Sequence, residues 1–194
     1  MNFEEYRVAA LRTMSKGNPA QGPGGSDFDL RQAVWGLGLA GEGSEVVELF
    51  VNPDIDSTTL MKEIGDVLWY VAAFCTHNGW SLAEVAGIDS IDMFQTLHSS
   101  LAASAGFAWG ARVAATSGKV ADYIKKVVGH GHTLDDAKLQ DGLKATLVAI
   151  AGLCTAHGLS MEQICIANID KLNKRYANGF STEASLARVD VEVS

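Results

Sequence analysis

Two 23-residue segments of this chain are similar to each other, and this similarity, which predicts an internal duplication, restricts the fold more than any other feature of the sequence. Residues 59–81 read TLMKEIGDVLWYVAAFCTHNGWS and residues 138–160 read KLQDGLKATLVAIAGLCTAHGLS, with seven of the 23 positions identical. Both segments are apolar and contain no proline, which favours helix over a protein of strands and turns. The chain therefore uses one helical segment at two places.

The similarity continues upstream of this segment. Trp35-Gly36 matches Trp109-Gly110, and EVVELF at 45–50 matches KVADYI at 119–124. The offset is 74 upstream and 79 downstream, so the second copy carries about five extra residues near 129–137. Two copies are too few for a solenoid. We predict an all-α helical bundle of two tandem repeats that form a pseudo-two-fold fused dimer.

The repeats and the local helix signals divide the chain into three parts. We predict an N-terminal helix and a Gly/Pro-rich loop over 1–27, a first repeat over 28–98 and a second repeat over 107–188. Within the first two parts, apolar periodicity and turn residues predict helices over 2–15, 28–51 and 58–77. Ser81 fits the N-cap of a further helix, and Glu84 three residues on fits a capping box there.

Composition excludes several classes of protein. The net charge of −8 and the pI near 5.0 argue against a non-specific nucleic-acid binder, which would have a basic face. No apolar run has the length of a membrane span, and residues 1–14 do not resemble a secretory signal. The three cysteines lie in apolar helical patterns, which is typical of reduced core thiols. We predict a cytoplasmic protein with neither nucleic acid nor membrane as partner.

Two pairs of carboxylates stand out in the first repeat. Glu42 and Glu45 are three residues apart, as are Glu63 and Asp66, so each pair projects from one side of its helix. If the two helices form an antiparallel hairpin around 52–57, the four side chains converge. One interpretation is a solvated acidic stripe. The other is a site for Mg²⁺, or Mn²⁺ as a substitute, because hard cations prefer oxygen ligands. The apolar neighbours of the four acids favour the metal site.

Three segments resemble the MazG-like family of all-α nucleoside triphosphate pyrophosphohydrolases. They are GLAGEGSEVVEL, KEIGDVLWYVAA and HGLSMEQICIANIDKLNKRYANGFS, the last over 157–181. The arrangement E-x-x-E, 17 residues, E-x-x-D is similar to the magnesium motif of that family. The run AN-x-x-KL-x-x-RY-x-x-GFS is similar to its C-terminal nucleotide-contacting segment.

The resemblance implies a reaction and a set of residues. The reaction is Mg²⁺-dependent hydrolysis of nucleoside or deoxynucleoside triphosphates to monophosphate and pyrophosphate by a metal-activated water. The implied metal ligands are the four carboxylates, with Glu45 and Glu63 as the catalytic pair. The implied substrate-binding residues are Asn168, Lys171, Arg175 and Tyr176, to which we add Lys125 at the end of a helix in the second repeat.

For these basic and polar residues the sequence leaves a structural role open. Lys171 and Arg175 share a helix face and suit phosphate oxygens, but a basic last turn is also ordinary at a helix C-terminus. Asn168 suits a base edge or a backbone group, and Tyr176 suits a sugar or the core. Lys125 suits phosphate or solvent.

The two repeats have lost complementary features. At the four ligand positions the second repeat has Thr116, Lys119, Gly142 and Ala145, and the first repeat lacks the Asn, Lys, Arg and Tyr of 168–176. We therefore predict one composite site per chain and allow further homo-oligomerisation of the fused unit. The alternatives are a catalytically weak nucleotide-binding or regulatory protein and a purely structural bundle.

Overall fold

The structure of the protein, a computed structural model, describes residues 1–14, 30–51, 56–99 and 106–188. The predicted Gly/Pro loop and the centre of the predicted turn at 52–57 lie outside these residues. Over the described ranges the fold is all-α, as predicted, with one isolated bridge between Asn2 and Ser90 in place of any strand. The helices are α1 Phe3–Ala10, α2 Arg31–Glu48, α3 Ser57–His77, α4 Leu82–Ala86, α5 Ile91–His98, α6 Gly106–His130, α7 Asp136–Ala156, α8 Met161–Arg175 and α9 Thr182–Ala187.

Local capping explains where several helices begin. Asn2 and Glu5 form a capping box at the start of α1, which is shorter than predicted because a 3₁₀ turn follows at Leu11–Thr13. Asp56 caps α3, and its carboxylate accepts hydrogen bonds from the first backbone amides of that helix. Asp135 does the same for α7. Both α3 and α7 have 21 residues and begin 79 positions apart, the offset at which the sequence repeats.

The predicted N-cap at Ser81 is confirmed. Its hydroxyl accepts from the backbone amide of Glu84 at 3.3 Å, and the Glu4 carboxylate accepts from the Ser81 hydroxyl at 2.8 Å. The helix then ends at Gly87, whose φ of 82° suits a residue without a side chain. The corresponding helix of the second repeat, α8, runs on for 15 residues. The first repeat thus has two short helices where the second has one longer helix.

Small residues allow α2 and α6 to pack closely. A Cβ atom on Gly43 would lie 2.9 Å from the Cβ atom of Ser117, and one on Gly110 would lie 2.7 Å from the ring of Phe50. Glycine lowers the helix propensity of α2, but here it is needed for the approach of the second helix. On the sequence offset of 74, Gly43 and Ser117 are equivalent positions. Contact between equivalent positions is the pattern of a two-fold interface and supports the pseudo-two-fold arrangement, which stays a prediction.

The three cysteines, Cys75, Cys154 and Cys165, are buried and form no disulfide. Burial raises the pKa of the Cys75 and Cys154 thiols to about 12, so these groups stay protonated at neutral pH. The predicted core position of the three cysteines is confirmed.

Among the described residues, no single helix is long and apolar enough to cross a membrane. Helices α7 and α8 reach that length and composition only as a pair, with a bend of 105° between them.

Candidate metal centre

Helices α2 and α3 bring three carboxylates together. Glu42 and Glu45 lie one turn apart on α2, and Glu63 faces them from α3, with one oxygen of each within 4.8 Å of the others. Glu63 is buried, Glu42 is half-buried and Glu45 is exposed. Fully buried apolar neighbours, among them Val46 and Ile64, fix the rotation of both helices and so place the three acids at the edge of the core.

The acids perturb one another electrostatically. Partial burial, the largest cause, and the neighbouring charges of Asp66, Glu45 and Glu63 together raise the pKa of Glu42 to about 7. Burial and the charge of Glu63 also raise the pKa of Glu45. The cluster therefore resists full ionisation in the absence of a cation. Its donor set consists of hard oxygen atoms, which fits Mg²⁺ or Mn²⁺.

Asp66, the fourth predicted ligand, is held by the second repeat. Its Oδ1 accepts a hydrogen bond from the Lys171 ammonium and another from Nδ2 of Asn168 at 3.3 Å. Within the described residues the tight acidic cluster comprises the other three carboxylates, and Asp66 stands beside it. At the predicted site, the structure thus brings Asn168 and Lys171 to Asp66, although they are 102 and 105 positions away from it in the chain.

Asn168 has a structural position that the sequence did not indicate. Its side chain is only 3% exposed and accepts a hydrogen bond from the Tyr6 hydroxyl at 3.0 Å while it donates to Asp66. A Cβ atom on Gly65 would lie 3.0 Å from the same amide, so Gly65 makes room for it. Neither Asn168 nor Lys171 lines the cavity described below. Both residues therefore position Asp66, and their role in binding substrate stays a prediction.

A cavity of about 710 Å³ opens beside the carboxylates. Its walls contain all four predicted acids. They also contain four basic side chains, which are Arg31, Lys62, Arg175 and Arg188. Aromatic rings complete the wall, namely Trp35, Trp69, Tyr70, Tyr176 and Phe180. The cavity thus combines negative, positive and apolar surface, a mixture that suits a ligand with both a charged and an aromatic part.

Arg175 and Tyr176 lie at the cavity together with the carboxylates of the first repeat. The Arg175 guanidinium is 5.9 Å from the centroid of the Tyr176 ring, and that ring is 5.5 Å from the ring of Phe180. Tyr176 is largely buried, with 8% exposure. Residues of both repeats therefore form one cavity. The role of these two residues in binding substrate stays a prediction.

Lys125 does not lie at the cavity. It is exposed on α6, where its ammonium is 2.6 Å from the Asp122 carboxylate, and Lys126 is 2.7 Å from the same carboxylate. Hydrogen bonds from the two lysines hold the pKa of Asp122 at about 2. A contact between Lys125 and a ligand in this cavity is therefore not supported, because the side chain belongs to a local ion-pair cluster elsewhere on α6.

The corresponding region of the second repeat is packed differently. A Cβ atom on Gly142 would lie 2.9 Å from Cγ2 of Val120, so any larger side chain there requires Val120 to move. The Thr116 hydroxyl donates to the backbone carbonyls of Arg112 and Val113 in its own helix. Over the described ranges, the cluster around Glu63 is the one group of three or more potential metal ligands.

Sequence reasoning missed several residues of the cavity. Tyr70 crosses α2 at Gly38, where a Cβ atom would lie 2.2 Å from its Cζ atom. Burial and the nearby Glu42 carboxylate raise the pKa of Tyr70 to about 12. The one signal in the sequence for this close approach of Tyr70 was Gly38, a glycine in the middle of a predicted helix. Lys62, whose ammonium is 2.9 Å from the Glu63 carboxylate, and Arg188 were not distinguished from surface cations.

Comparison with protein-family models, with curated proteins and with solved structures gave no match to this chain.

Proposed function

We propose that the protein is a Mg²⁺-dependent hydrolase that cleaves nucleoside or deoxynucleoside triphosphates to the monophosphate and pyrophosphate. The observation that carries this proposal is the composition of one cavity. Three carboxylates cluster on one side, and basic and aromatic side chains from residues more than 100 positions away complete the wall. The MazG-like motifs of the sequence agree with the same reaction.

The carboxylates of Glu42, Glu45 and Glu63 would hold the metal, because their oxygen atoms are hard donors and are close enough to share one cation. Bound there, Mg²⁺ supplies positive charge for phosphate oxygens and lowers the pKa of a coordinated water. Asp66 adds a fourth negative charge at the cavity wall. Asn168 and Lys171 keep its carboxylate in place through hydrogen bonds.

The side chains of the protein account for the remaining requirements of the reaction. A water oxygen attacks the α-phosphorus, the bond from that phosphorus to the bridging oxygen breaks, and pyrophosphate leaves. Glu45 would accept the proton of the water, since it is the most exposed acid of the cluster. Arg175 binds phosphate oxygens through its planar guanidinium.

The aromatic wall offers a surface for the nucleobase. Trp69, Tyr70 and Tyr176 present ring surface to the cavity, and the Trp69 indole is fixed by hydrogen bonds from its Nε1 to the Ala10 carbonyl and the Thr13 hydroxyl, both at 3.2 Å. Fixed rings favour stacking because little side-chain freedom is lost on binding. A cavity of about 710 Å³ lies in the size range of ligand sites of roughly 300–1,000 Å³.

The experiment is a panel of the purified protein with each nucleoside and deoxynucleoside triphosphate in the presence of Mg²⁺. We expect stoichiometric pyrophosphate and monophosphate from at least one nucleotide, with no release after chelation. Glu63→Gln should lose the activity, and Glu48→Gln, an exposed acid of α2 outside the cavity, should retain it.

Two results would contradict the proposal. One is the absence of pyrophosphate with every nucleotide, and the other is full activity of Glu63→Gln. Tight binding of a nucleotide without cleavage would favour the regulatory alternative.

A further inference from the structure

Arg188 differs from the paired lysines around the site. Lys62 pairs with Glu63, and Lys171 pairs with Asp66. Arg188 is an exposed residue in the wall of the cavity, and its side chain forms no ion pair or hydrogen bond with any other residue in the described part of the chain. Arg188 thus carries a positive charge that no acidic residue of the cavity wall neutralises through an ion pair.

The backbone of Arg188 is also unusual. The residue ends α9 in the left-handed region, with φ 43° and ψ 47°, and it is the one non-glycine residue with positive φ over the described ranges. A side chain at Cβ disfavours this region. The sequence has an arginine at a position where glycine is the easier residue. The energetic cost of the left-handed backbone at Arg188 is offset if the guanidinium binds a ligand in the cavity.

The segment that carries Arg188 is fixed at its start and loosely packed at its end. The Arg12 guanidinium donates to the Tyr176 carbonyl at 2.9 Å and to the Asn173 side chain at 2.6 Å, and so holds the chain where α8 ends. Helix α9 is capped by the Ser181 hydroxyl and contains no buried residue. Arg188 therefore follows directly after a short exposed helix, α9, which begins at Thr182, downstream of the anchored Tyr176.

We infer that Arg188 binds the anionic phosphate tail of the ligand, at the phosphates beyond the one attacked. This inference rests on the proposed function, since it assigns a residue to the same substrate. The physical reason is charge: a triphosphate brings about four negative charges into a cavity that already holds carboxylates, and a guanidinium can pair with two phosphate oxygens at once. The Ser185 hydroxyl, one turn earlier at the same cavity, is a second donor for that tail.

The test compares the binding of triphosphate and monophosphate. The probes are the four α,β-imido deoxynucleoside triphosphates and the four deoxynucleoside monophosphates, titrated calorimetrically with Mg²⁺ into wild type, Arg188→Ala and Arg188→Lys. We expect Arg188→Ala to weaken triphosphate binding by about 10- to 100-fold and monophosphate binding by less than about threefold, as for the loss of a charged hydrogen bond. Arg188→Lys should recover part of the loss, because it restores the charge without the planar fork.

Two further variants separate charge from backbone effects. Lys174→Ala removes one exposed cation of α8 that does not line the cavity, and it should bind both probes like wild type. Arg188→Gly removes the guanidinium and relieves the left-handed backbone. It should bind triphosphate as weakly as Arg188→Ala, with a melting temperature equal to or above that of wild type.

The outcomes distinguish this inference from the proposed function. Wild-type affinity for triphosphate in Arg188→Ala or Arg188→Gly overturns the role of Arg188 alone. An equal loss for monophosphate and triphosphate, or an equal loss in Lys174→Ala, also overturns it. A wild-type protein that binds neither probe refutes both the inference and the proposed function.

Discussion

Lys171 donates a hydrogen bond to the Asp66 carboxylate across 105 positions of the chain. The pair is partly buried, with 13% and 23% of the two side chains exposed. It connects α8 to the face of α3 that carries Glu63, and Asn168 adds a second hydrogen bond to the same carboxylate. The position of one acid of the first repeat is therefore set by two residues of the second.

We expect Lys171→Met to destabilise the protein, because it leaves the Asp66 carboxylate without its cation in a partly buried place. The free energy of unfolding should fall by about 1–3 kcal/mol, between the values for exposed and buried pairs. Urea denaturation measures this change, and Asp66→Asn with Lys171→Met completes a double-mutant cycle. Lys174→Met is the matched control. Equal stability of the two single lysine variants would show that the ion pair contributes nothing.

The raised pKa of Glu42 predicts how stability depends on pH without metal. The pKa is about 7 in the folded chain and 4.5 in the reference state, so the folded protein binds more protons between these values. Its contribution is complete below pH 4.5 and is lost as the pH rises through 7. After a discount for solvent exposure, the free energy of unfolding should fall by about 1–2 kcal/mol over this window.

Denaturation at several pH values between 5 and 8, in the presence of a chelator, measures how steeply the free energy of unfolding falls with pH. Glu42→Gln should reduce this pH dependence, because glutamine does not titrate and only the raised pKa of Glu45 still contributes with the same sign. Saturating Mg²⁺ should flatten it as well if the cation binds the ionised cluster. A slope of the same size in Glu42→Gln would assign the titration to another group.

Gly38→Ala should disturb the cavity more than the helix. Alanine raises helix propensity by roughly 1 kcal/mol, but its Cβ atom would lie 2.2 Å from the Tyr70 ring, so the ring must move. We expect turnover to decrease by at least about tenfold, since Tyr70 lines the cavity beside Glu42. Steady-state kinetics and circular dichroism measure the two effects. Gly41→Ala is the control, because nothing lies within 4 Å of a Cβ atom there.

Arg175→Ala tests whether the second repeat completes the site. We expect kcat/KM to fall by roughly one to three orders of magnitude, about 1.4–4 kcal/mol of transition-state stabilisation. Binding of Mn²⁺ without nucleotide should change little, because the guanidinium is not a metal ligand. Lys125→Ala, a cation in an exposed ion pair away from the cavity, should behave like wild type. Wild-type kinetics in Arg175→Ala would leave the second repeat as a scaffold only.

The sequence by itself determined the features that depend on local chemistry. Apolar periodicity and the scarcity of proline predicted helices, and Ser81 marked a helix start through its own hydroxyl. The spacing of Glu42 and Glu45, like that of Glu63 and Asp66, placed each pair on one helix face, since a helix repeats every 3.6 residues. These properties depend only on residues that are close in the sequence, so a single amino-acid sequence is enough to predict them.

Tertiary structure decided which of these faces meet and which charges they bring together. Asn168 and Lys171 bind Asp66 and do not line the cavity. The packing of α3 against α8 sets these partners, and the close approach of α2 to Tyr70 at Gly38 shapes the cavity wall. Such contacts join residues far apart in the chain, and their geometry depends on how whole helices pack, which local spacing does not encode.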